Sequence, residues 1–310
     1  MKKNILGKTN IEISRLGIGL AEIGYQLNRS DVKEASSLLN LAIDNGINFF
    51  DTSSCYGISE ELIGKTISER RSEYILATKC GHGRNLPNNG NETYDDWTSE
   101  TLLKSIDTSL YKMNTDHVDL LQLHSCDVET LKQGDTIETL LKIQESGKTR
   151  FIGFSGDNDS AEYAVSIDVF DTLQTSFNLV DQNALKNLFK SAKEKNMGII
   201  AKRPLGNAAW GSKERPVYGT GFADYYLDRA NKMLELGPLS EDAPVDNILL
   251  ALYFVLHHSE VNSAIVGTKK PDHLLSNIKN IESGIDISEE VIEDLRMRFD
   301  KLGKNWAQQT

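Results

Sequence analysis

Short apolar runs alternate along this chain with longer segments in which apolar residues return every three or four positions. The runs fall at 16–19, 48–50, 75–77, 118–123, 151–154, 172–177, 198–201 and 263–266. The segments of helical period lie at 32–44, 59–70, 98–113, 128–145, 159–165, 184–195, 223–236 and 271–281. An apolar run without polar alternation suits a strand covered on both faces, and a helix after each makes a parallel βαβ unit. Eight such units predict an α/β fold, a (β/α)8 TIM barrel, in preference to an open sheet. Ahead of the first unit, residues 4–6 and 11–13 flank Gly7-Lys8-Thr9-Asn10, which predicts an N-terminal β-hairpin able to plug one end of the barrel. Residues 287–299 predict a C-terminal closing helix.

Composition narrows the picture. No linker or low-complexity stretch divides the 310 residues, 39% of them hydrophobic, so a single domain over 1–310 is expected. Lys plus Arg total 34 against 45 Asp plus Glu, a formal charge of −11. That balance excludes a basic face for nucleic-acid backbones but not a local pocket for a small anion. The longest apolar run, 248–256, is too short to span a bilayer. The amino terminus develops no signal-peptide core, and three cysteines make no disulfide framework. A cytoplasmic protein with a small-molecule partner, and neither nucleic acid nor membrane, is therefore expected.

Active sites of such barrels lie at the carboxyl ends of the strands. The second run ends in Asp51, the third in Lys79 and the fourth in His124, with Tyr56 five residues beyond Asp51. These types form a coherent set. An ammonium at Lys79, anchored by Asp51, would lower the pKa of the Tyr56 phenol. A neutral imidazole at His124 would hold a carbonyl oxygen near that phenol. Two such donors suit an oxygen that gains negative charge as a carbonyl accepts hydride.

The segment Asp51-Thr-Ser-Ser-Cys-Tyr56-Gly57-Ile-Ser59-Glu60 resembles the aldo-keto reductase motif. So do Leu76-Ala-Thr-Lys79, Val118-Asp-Leu-Leu-Gln-Leu-His124, Gly147-Lys-Thr-Arg-Phe-Ile-Gly-Phe-Ser155, Gly267-Thr-Lys-Lys-Pro271 and Asn277, all in the family's order. The resemblance implies a barrel reductase of aldehydes or ketones using NAD(P)H, with Asp51, Tyr56, Lys79 and His124 as its catalytic tetrad. Tyr25, Tyr56 and His124 are then expected to meet the substrate. No GxGxxG follows a strand, which argues against a Rossmann domain; the family lays its dinucleotide across the barrel mouth instead. By position, Gly19, Leu20 and Asp51 would lie near the nicotinamide ribose, and Ser155 with Gln174 would hold the carboxamide. Pro204, Leu205 and Lys213 would line the pyrophosphate, and Gly267, Lys269, His273 and Asn277 the adenosine. Lys269 and Lys270 just before a helix favour NADP(H) over NAD(H).

Two departures from the resembled pattern stand out. Gly156 follows Ser155 where many relatives carry Asn. Lys202-Arg203 ends the seventh strand where many carry an aromatic that stacks on nicotinamide; Lys202 cannot stack in this way, although the planar Arg203 guanidinium could, and either the ring packs differently or these two cations serve the pyrophosphate. An alternative function on the same fold is a nicotinamide-sensing regulatory subunit, as potassium-channel β subunits resemble. Gly64-Lys65-Thr66 imitates a P-loop tail without the required first glycine. Cys55, Cys80 and Cys126 lie near His82 and His124 but lack the spacing of a metal site, so no metal is expected. Loops carrying Tyr25, Tyr94, Trp97, Trp210 and Tyr218 would set the substrate.

Overall fold

The computed structural model describes residues 1–83, 86, 94–212, 221–284 and 287–309. Two short strands, β1 (Lys3–Ile5) and β2 (Glu12–Ser14), pair antiparallel as the expected hairpin. Eight more are β3 (Leu16–Gly19), β4 (Phe49–Asp51), β5 (Ile75–Cys80), β6 (Val118–His124), β7 (Thr149–Ser155), β8 (Thr172–Ser176), β9 (Gly198–Lys202) and β10 (Ser263–Gly267). They are parallel and close in sequence order, with β10 pairing both β9 and β3. The predicted barrel is the barrel observed.

The helices follow from capped, one-faced segments. Thr98 accepts the Thr101 N–H to start α4 (Ser99–Met113), whose buried residues include Leu102, Ile106 and Met113; Asn114 ends it in the left-handed region. The helix expected over 128–145 is instead two, α5 (Val128–Gln133) and α6 (Asp135–Glu145), because Gly134 adopts φ of 89°. Likewise the segment 59–70 forms α3 (Ser59–Thr66) and then a 3-10 turn, Ser68–Glu73. The run noted as too short for a bilayer lies in α10 (Asn247–His257), which is buried nearly all round. The closing helix is α12 (Glu289–Leu302), started by Ser288 and packed through Val291, Ile292, Leu295 and Phe299.

Side chains alternate across each strand, so every second residue enters the barrel. Phe49, Ala77, Leu120, Ile200 and Ile265 form one inner layer, and Leu6, Ile11 and Ile13 of the hairpin pack into the same cluster. The hairpin therefore seals the amino-terminal end with hydrocarbon. One alternation further along the same strands come Asp51, Lys79, Gln122 and Lys202, and the register sets Gln174 beside Ser155 and Ile200. The interior turns polar within two residues.

Candidate active site

The four expected catalytic residues meet at the carboxyl end of the barrel. Lys79 Nζ donates to Asp51 Oδ2 at 2.6 Å and to the Thr52 carbonyl at 2.9 Å, with both side chains almost wholly buried. The other Asp51 oxygen accepts from Gln174 Nε2 at 2.8 Å and from Gln122 Nε2 at 3.0 Å. Two amides and an ammonium thus satisfy a carboxylate that burial alone would destabilise. Gln122 was not singled out from sequence. A lone amide two residues before His124, inside an apolar run and on its face of the strand, was the available signal.

Tyr56 sits on the turn after β4, where its N–H donates to the Ser53 carbonyl at 3.0 Å. Gly57 (φ of 53°) lets that turn press against α1 (Ala21–Gln26): a Cβ on Gly57 would come within 2.3 Å of the Gly24 carbonyl oxygen. The phenol ring ends with Lys79 Nζ at 4.8 Å from its centroid and the His124 ring edge-on at 6.0 Å. Tyr25 lies 6.1 Å from the same ring, its hydroxyl donating to the Cys55 carbonyl at 2.7 Å. Trp97 donates its indole N–H to the His124 carbonyl at 2.9 Å.

Burial dominates the electrostatics. It raises the Tyr56 phenol above its ordinary pKa, although the Lys79 ammonium pulls the other way. The expectation of an unusually acidic phenol is thereby corrected: the opposing charge is present, but desolvation outweighs it. Burial also works against the Lys79 charge, yet Asp51 and Tyr56 more than offset it and its pKa lies above the usual value. Burial, and then the Lys79 charge, hold His124 well below its usual value, so its ring is neutral at pH 7. Its Nδ1 faces Ser53 Oγ and Cys55 Sγ, each at 3.5 Å. A hydroxyl and a thiol can each donate to that nitrogen or accept from it; where they donate, the neutral ring carries its proton on Nε2.

The residues expected at the cofactor are distributed around this mouth. Gly19 is in register with both Asp51 and Gly267, and the Leu20 N–H donates to the Asp51 carbonyl at 2.9 Å, while its side chain is buried in the core. Ser155 and Gln174 are adjacent in register and joined at 3.1 Å, Ser155 Oγ donating to Gln174 Oε1. A side chain at Gly156 would collide with the Phe154 ring, whose nearest carbon lies 2.5 Å from an ideal Cβ. Lys202 is paired with Asp157 at 2.8 Å. Arg203 stacks on Phe222 at 3.9 Å and donates to Ser176 Oγ at 3.1 Å and to the Gln309 carbonyl. Both cations that replace the expected aromatic are thus engaged by the protein itself. Pro204 is buried and Leu205 partly so; Lys213 and Tyr218 lie outside the described residues.

On the far side, α11 (Pro271–Glu282) begins after the exposed Lys269 and Lys270, with Asn277 buried and His273 exposed along it. The Lys269 N–H donates to Glu22 Oε1 at 3.3 Å. Trp210 is buried in the core. The three cysteines are buried and form no disulfide, and burial pushes the Cys126 thiol up to about 12 and Cys80 higher still. Among the described residues no group of three or more His, Cys, Asp or Glu is placed to hold a metal ion. None of their helices is long and apolar enough to cross a membrane.

A closed parallel barrel with a buried Asp–Lys pair, a phenol and a neutral imidazole at its mouth defines a class of barrel oxidoreductases. The model of the aldo/keto reductase family matches residues 15–297, and the chain belongs to that family. L-galactose dehydrogenase of Arabidopsis thaliana is 31% identical over 287 residues, covering 88% of this chain and 86% of that protein. A probable voltage-gated potassium channel subunit beta of the same plant is 26% identical over 311 residues, covering 91% and 92%. The fold matches that of an aldo-keto reductase from Bacillus halodurans in its holo form, with a TM-score of 0.79 at 24% identity and 96% of each chain covered.

Proposed function

We propose that this protein interconverts a small aldehyde or ketone and its alcohol with NADP(H), used in preference to NAD(H). The observation that carries the reading is the approach of Lys79 to Tyr56 while two amides hold Asp51, the lysine's counter-ion. The donor set suits a nicotinamide dinucleotide: Ser155 and Gln174 would take the carboxamide, and Lys269 with Lys270 a phosphate on the adenosine side. Gly156 contributes no amide there, since the Phe154 ring fills the space of its side chain. When bound, the nicotinamide supplies or receives the hydride.

The protein's own residues manage the oxygen. His124, neutral and protonated on Nε2, donates to the carbonyl oxygen and orients it. Tyr56, kept protonated by burial, transfers its proton to that oxygen as negative charge develops. The Lys79 ammonium stabilises the phenolate left behind, and Asp51 fixes the ammonium. A phenol above its ordinary value remains a proton donor through the neutral range, so the reduction rate should stay flat from about pH 7 to 9.

Tyr56→Phe tests the assignment. It should leave NADPH affinity, read by fluorescence quenching, unchanged and lower kcat by about 10²–10⁴-fold. Full turnover in that variant refutes the role. The likeness to a potassium channel subunit favours a second reading, a nicotinamide-sensing subunit. Tight NADPH binding by the parent with no turnover across a panel of carbonyls would select it.

A further inference from the structure

A second imidazole stands beside the catalytic one and has no part in the scheme above. His82 follows β5 by two residues, and its ring centroid lies 4.8 Å from that of His124, edge to face. Its other flank meets Trp97 at 5.8 Å. Asp96 fixes it: Asp96 Oδ2 lies 2.9 Å from His82 Nδ1, while Oδ1 accepts the Gly83 N–H at 2.7 Å. The backbone N–H of Trp97 donates to the Gly81 carbonyl at 2.6 Å and so ties the residues beside Asp96 to those beside His82. A carboxylate bound through both oxygens holds the imidazole in one orientation and takes its Nδ1–H.

We infer that His82, oriented by Asp96, is a specificity-determining residue that reads a hydroxyl on the carbon next to the carbonyl. The two rings present complementary chemistry. With Nδ1 facing Ser53 and Cys55, His124 offers an Nε2–H donor, which suits a carbonyl oxygen. With Nδ1 committed to Asp96, neutral His82 offers a bare Nε2 acceptor, which suits an O–H donor; protonated, it donates to the same hydroxyl's oxygen. A hydroxyl satisfies the ring in either state. An α-hydroxy carbonyl, or in the oxidative direction a vicinal diol, carries both groups side by side. An alkyl carbonyl would cover the His82 nitrogen without a partner, and an unpaired polar group that loses its water is penalised.

The inference rests on the carbonyl-reducing reading of the same mouth, and one panel separates the two. The ratio of kcat/KM for 2-hydroxypropanal to that for propanal is measured with NADPH for the parent, His82→Leu, His82→Gln and Tyr56→Phe. The parent should prefer the hydroxyaldehyde, and the ratio should fall about tenfold in His82→Leu. His82→Gln, which keeps a hydrogen-bonding group, should retain most of it. A parent without preference, a ratio unmoved by His82→Leu, or an equal fall in both His82 variants overturns the inference; the last would mean that packing against Trp97 sets the ratio. Failure of the underlying reading looks different: no turnover of either aldehyde by the parent, or full turnover by Tyr56→Phe.

Discussion

The two ends of the barrel are built from the same strands and the same inward faces, yet they share almost no chemistry. At the amino-terminal end Phe49, Ala77, Leu120, Ile200 and Ile265 meet Leu6, Ile11 and Ile13 of the hairpin. Two residues further along, Asp51, Lys79, Gln122 and Lys202 line the mouth. The plug makes the contrast workable. It excludes water from below and supplies packing, while the mouth holds charges that gain little net stability from burial. Hydrocarbon fills one end and paired charge the other.

The contrast can be broken from either side, and the largest effect belongs to the mouth. Lys79→Met leaves Asp51 buried without its ammonium and should lower kcat by about 10²–10⁴-fold. Urea unfolding should also show a loss of about 3–5 kcal/mol. An unchanged kcat would separate Lys79 from Tyr56. At the plug, Leu6→Ala should cost about 2–5 kcal/mol of stability and leave kcat of the folded protein unaltered; a matching loss in kcat would show the two ends to be coupled.

His258 sharpens the comparison, because a depressed imidazole does not by itself mark the mouth. It packs between Phe177 and Phe254, with Nδ1 2.8 Å from the Phe254 carbonyl, and burial lowers its pKa to about 4. The unfolded chain takes up this proton near pH 6.5 and the folded chain only near 4. The contribution is therefore intact at pH 7 and is lost as pH falls through that window. Relative to a His258→Leu chain, the parent should lose about 3 kcal/mol between pH 7 and 4 by urea titration. A constant difference would mean that the ring is hydrated. The smallest effect is expected from Gln122→Leu, which removes one of two amides on Asp51 Oδ1; a loss of about 1 kcal/mol, read as a severalfold lower kcat, would fit. No change would leave Gln174 as the sole amide that matters.

Much of the mouth was legible because strand ends are. An apolar run that stops at Asp51, Lys79 or His124 announces both the strand and the residue facing the opening. Gln122 escaped notice because a lone amide within a strand, although it shares a face with His124, does not reveal its partner until Asp51 is placed beside it. Residues 128–145 read as one helix because the period continues through Gly134, and only the backbone conformation there shows the break. His82 and Asp96 lie 14 positions apart, outside any periodic segment of the sequence, so nothing in their spacing pairs them.

The sequence alone determined the order of the barrel strands, the hairpin before them, and the strand ends that carry Asp51, Lys79 and His124, because alternation and strand ends are local properties of a chain. Tertiary structure decided the rest. It turned the Tyr56 shift upward, since desolvation depends on every atom packed around the ring rather than on one neighbouring charge. It likewise paired Lys202 with Asp157 and Arg203 with the Gln309 carbonyl, contacts that exist only once distant segments converge on the same strand ends.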